Sequence, residues 1–78
     1  MESEKRRLDG KIRRCEEAIA ETEQALDDAN AQLSAPQTAS DYEQILRWTQ
    51  TINDLHERQD ELMAQWELLS EQREALEA

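Results

Sequence analysis

A stripe of mostly apolar residues runs through the first half of this chain in alternating steps of four and three: Leu8, Ile12, Cys15, Ile19, Thr22, Leu26, Ala29 and Leu33. On a helix that spacing gathers the stripe along one side, with Ile12, Ile19, Leu26 and Leu33 at heptad position a and Leu8, Cys15, Thr22 and Ala29 at d. So narrow a stripe is buried only by a second helix. The same chain offers one. Ile45, Trp48, Ile52, Leu55, Gln59, Leu62, Trp66, Leu69, Arg73 and Leu76 follow each other in alternating steps of three and four.

Between the stripes lies a small, polar stretch, Ser34–Ser40, that holds the only proline, Pro36. Proline disfavours helix at the residue before it and cannot donate to the ladder. Ser40 with Glu43 predicts a capping box at the start of the second helix, and Asp41 suits the positive end of its dipole. The expected layout is one domain over residues 1–78, with helix 1 at about 3–34, a loop at 35–40 and helix 2 at about 41–77. A loop that short favours antiparallel neighbours. The fold class that follows is all-α, a two-helix antiparallel coiled-coil hairpin. A register pairing Ile19 with Leu62, Cys15 with Trp66 and Ile12 with Leu69 matches a to d throughout. It also sets Thr22 and Gln59 in one polar layer, whereas a one-heptad slip sets Thr22 against Ile52.

Charge is unevenly spread. Lys5, Arg6, Arg7, Lys11, Arg13 and Arg14 face only three acids within the first fourteen residues, while the remainder carries three arginines against sixteen acids. One end is basic on a chain whose net charge is −10. Arg6 and Arg13 fall at b, Arg7 and Arg14 at c, Lys11 at g and Lys5 at a. Guanidinium groups so clustered can bridge neighbouring phosphates of DNA or RNA. The competing use is a solvated face with weak pairs such as Glu2–Arg6 and Arg13–Glu17.

Other chemistry is excluded by what the chain lacks. One cysteine and one histidine, Cys15 and His56, cannot form a four-ligand zinc site or a disulfide within the chain. A phosphate-cradling G-x-x-x-x-G-K-[ST] loop needs two glycines, and only Gly10 is present. No apolar run approaches the roughly 18 residues of a membrane span. The chain reads as cytoplasmic, without a catalytic centre, metal or cofactor. Cys15 reads as a small hydrophobe in the seam, Trp48 and Trp66 as packing residues, and Tyr42 as packing under the loop. Arg73 and Lys5, charged residues on the stripe, suggest a fraying end or a junction with another domain. Leu46, Met63 and Leu68 lie off the strict stripe and allow a wider apolar face.

The restart Asp41-Tyr42-Glu43 after Pro36 and the late Gln65-Trp66-Glu67-Leu68-Leu69 resemble the C-terminal domain of ABC-F ATPases, the Uup-like group. The resemblance covers nearly the whole chain. It implies a hairpin that follows the second cassette of a larger protein with two nucleotide-binding cassettes and no membrane domain. It implies that ATP and Mg are used in those cassettes, outside this fragment. It also implies an accessory role on nucleic acid or the ribosome, with Lys5, Arg6, Arg7, Lys11, Arg13 and Arg14 as the contact residues. The alternative function is a structural or protein-interaction module, a monomer or a weak homodimer.

Overall fold

The computed structural model describes residues 2–77. It is all-α: α1 spans Glu2–Leu33, α2 spans Pro36–Ala39 and α3 spans Tyr42–Ala75, with no strand among the described residues. The molecule measures 58 × 14 × 13 Å. At about 1.5 Å per residue α3 alone is roughly 51 Å long, so α1 and α3 must lie along the same axis. Bonds between them join residue 15 to 62, 16 to 66 and 9 to 73. Low numbers on α1 therefore meet high numbers on α3. The bonds 16–66 and 9–73 lie within one residue of the a-to-d register, and the bond from Cys15 to the Leu62 carbonyl lies one turn away from it.

Burial follows the heptads. Cys15, Thr22, Leu26, Ala29, Leu62 and Leu69 are the buried residues of the long helices, and each occupies a or d. Cys15, Leu62 and Leu69 form the tightest part of the core, with Leu8, Ile12, Ala18, Ile19 and Trp66 packed around it. Trp48, Ile52 and Leu55 are only half-buried. Two helices shield each other along one line, and large side chains on that line still reach solvent at its edges. Thr22 does not bond to Gln59. Its hydroxyl donates to the Ala18 carbonyl one turn back, at 2.8 Å. The Thr22 hydroxyl is thus satisfied within α1, and no cross-helix hydrogen bond through it sets the register.

Gly10 sits inside α1 without a positive φ. A Cβ added there would meet only the flexible tip of Arg14, at 3.4 Å. Gly10→Ala should therefore stabilise the chain by up to about 1 kcal/mol, through helix propensity and a less disordered unfolded state. The check is a higher urea midpoint with an unchanged slope.

The connection departs from a plain loop. Pro36 occupies the first turn of α2, where its missing N–H costs nothing and its fixed φ is already helical. Ala35 before it is extended, as a pre-proline residue should be. Thr38 is 2% exposed beneath this turn, whereas Tyr42, expected to pack there, is 73% exposed. The small threonine fills the space and leaves the tyrosine outside. The cap is also shifted by one residue. Asp41, not Ser40, accepts from Glu43 N at 3.1 Å and Gln44 N at 3.3 Å. Ser40 instead closes α2, its hydroxyl donating to the Gln37 carbonyl at 3.2 Å. Asp41→Ala should cost about 1 kcal/mol and Ser40→Ala clearly less, a contrast that paired thermal melts would resolve.

Candidate nucleic-acid interface

Arg6, Arg7, Lys11, Arg13 and Arg14 are exposed, and Lys5 is partly covered. None of the six forms an ion pair among the described residues. The salt bridges found there are Arg58–Glu61, Arg73–Asp9 and Arg73–Glu77. The pairs Glu2–Arg6 and Arg13–Glu17, which would have neutralised the stripe, are not made. The N-terminal cations therefore keep their full charge available to an outside ligand.

The six do not share one surface. Arg7, Lys11 and Arg14 border concavities beside the seam, and Arg6 and Arg13 do not. The larger concavity adds Arg58, contributed by α3. Sequence reasoning passed over Arg58 because it stands alone among acids in its own helix. Its signal is its heptad position: it falls at g of α3 and lines the same concavity as Lys11, at g of α1. That position becomes informative only once the register is known.

On the other side of the seam two acids of α1 are already engaged. Asp9 accepts from Arg73 Nε at 2.7 Å, and Glu16 accepts from Trp66 Nε1 at 3.3 Å. Trp66 thereby buries its ring against the core and satisfies its N–H at the rim, which accounts for a tryptophan on the stripe. Arg73 also donates to Glu77 at 2.8 Å. It clamps the end of the rod where a charged seam residue had suggested fraying. The hydrogen bond to Asp9 raises the Arg73 pKa, against the lowering effect of desolvation. The sign is that of a cation gaining a partner: the stabilisation is complete below the ordinary arginine range and is lost only above it. Arg73 ionisation thus adds no pH dependence near neutrality.

Cys15 is 5% exposed, and its thiol donates to the Leu62 carbonyl at 3.2 Å. His56 is exposed, and no cluster of metal-ligating side chains occurs among the described residues. Among the described residues no helix is long and apolar enough to cross a membrane.

Comparison with known proteins gives one family. The model of the ABC transporter C-terminal domain matches residues 2–71. No curated protein and no solved structure matches the chain.

Proposed function

We propose, since the chain belongs to the family of ABC transporter C-terminal domains, that it is the accessory coiled-coil arm of a soluble, cytoplasmic ABC-F-type ATPase and contacts nucleic acid. In this reading α1 and α3 form an antiparallel hairpin. The three cross-helix bonds, Cys15–Leu62, Glu16–Trp66 and Asp9–Arg73, support it. The arm is a small helical accessory domain and not a catalytic ATPase domain. ATP hydrolysis, with its Mg ion, belongs to cassettes elsewhere in the parent protein.

The observation that carries the proposal is the unpaired basic end. Lys5, Arg6, Arg7, Lys11, Arg13 and Arg14 approach the phosphate backbone of DNA or ribosomal RNA. The acidic shaft is repelled by that backbone and points away, so the charge asymmetry orients the rod. Contacts of this kind fix position and do not read bases.

Fluorescence anisotropy with labelled duplex DNA and a structured RNA tests this. The expected result is saturable binding at low salt that weakens steeply toward physiological salt. The tighter ligand identifies the partner class. Absence of binding to both at low salt would leave the hairpin as a structural or protein-contact arm.

A further inference from the structure

The two sides of the seam differ in kind. On one, Asp9 and Glu16 are tied to α3 by Arg73 and Trp66. On the other, two concavities of about 510 and 340 Å³ adjoin through Lys11 and Gln72, forming one groove along the pair. Along α1 the groove runs from Glu4 to Ala18, about 21 Å at helical rise.

Its construction is specific. The floor is apolar, made by Cys15, Leu62 and Leu69, which belong to the core. Ala18 stands at g, where a long side chain would otherwise lie over the floor, so the groove stays open. Leu68 forms part of the wall and is 56% exposed, although no interior demands a leucine there. Arg7, Lys11, Arg14 and Arg58 supply the rim, opposed within the lining only by Glu4, with Glu61 pairing to Arg58 from outside it at 3.9 Å.

This combination selects a ligand. Two helices side by side, whose backbones span 14 × 13 Å in section, cannot enclose a small molecule. A duplex presents phosphates on a convex backbone and would leave the apolar floor and Leu68 uncovered. A third helix laid along the groove covers both, with apolar side chains at i, i+3, i+4 and i+7 on the floor. Carboxylates flanking that apolar face would meet Arg7, Lys11 and Arg14 along α1 and Arg58 at one end of α3. We infer that the groove between α1 and α3 binds an acidic amphipathic helix of a partner protein, about four turns long. The inference does not rest on nucleic-acid binding. Because Arg7, Lys11 and Arg14 serve both surfaces, the helix and the nucleic acid should compete.

The test uses a fluorescein-labelled synthetic helix about two heptads long, with leucine on one face and glutamate elsewhere. Its controls are a scrambled peptide of the same composition and a lysine-for-glutamate version. The expected result is saturable binding of the acidic amphipathic peptide and at least tenfold weaker binding of both controls. Leu68→Glu and Arg58→Glu each change an exposed residue, so circular dichroism should show an intact fold; each should weaken the peptide at least tenfold. The Arg6→Gln/Arg13→Gln double variant should leave its affinity unchanged. Equal binding of the scrambled peptide, undiminished binding to Leu68→Glu, or no binding would overturn the inference. So would a homodimer in sedimentation that Leu68→Glu dissolves, since the occupant would then be a second copy. Loss of RNA or DNA affinity in the uncharged Leu68→Ser variant would likewise assign the groove to nucleic acid. Failure of the wild-type chain to bind nucleic acid at all would instead refute the proposed function and leave the groove untouched.

Discussion

Leu62→Ala should largely unfold the chain at room temperature, while Leu68→Ala should leave it intact. Both are leucines on α3, six positions apart, and both changes keep a good helix former. They differ in burial. Leu62 is 2% exposed at the centre of the core cluster, and Leu68 is 56% exposed on the rim. Truncating a buried leucine costs about 2–5 kcal/mol, because the cavity collapses only partly. A core in a chain this short supplies only about 3–5 kcal/mol in total. The first substitution is therefore comparable with the whole stability, whereas a surface change stays within about 0.5 kcal/mol. Urea titration followed by far-UV circular dichroism measures both. Equal destabilisation would mean that helix propensity, and not the seam, holds the molecule together.

The second large effect concerns binding. Replacing Arg6, Arg7, Arg13 and Arg14 by glutamine should reduce nucleic-acid affinity about 100-fold or more at low salt, since each phosphate contact releases counterions. Stability should change little. All four are exposed, and none holds an ion pair among the described residues. A loss of affinity accompanied by a loss of helicity would not count toward the proposal. Arg47→Gln serves as the control, because Arg47 is an exposed arginine near the loop, far from the basic end.

Sequence made the core legible because heptad spacing encodes burial directly. The a and d positions named from spacing include every buried residue of the two long helices. The motifs around Asp41 and Trp66 pointed to a C-terminal domain of ABC proteins, and the family match over residues 2–71 agrees. The connection was harder to read. Ser40 and Asp41 are both good caps, and the choice between them depends on α2, which uses Ser40 for its own end. Pro36 did carry a signal for α2, since proline favours a first helical position as readily as it breaks a helix.

Arg73 could not be read locally. Its partner Asp9 lies 64 residues away, so a charge on the stripe resembled a defect until both helices were in place. The groove was hidden for the same reason. Ala18 and Arg58 are unremarkable in their own helices and become neighbours only across the seam. The six basic residues were visible as a cluster, but their division between the groove and the outer face requires the second helix.

The most direct test of the account is the slope of log affinity against log salt for this domain on duplex DNA and on structured RNA, measured for the wild type and the four-glutamine variant. A basic end that binds phosphate gives a steep negative slope that becomes shallower by about four in the variant, roughly one per lost phosphate contact. Identical slopes for the two proteins, or a wild-type affinity indifferent to salt, would contradict a basic end that binds phosphate.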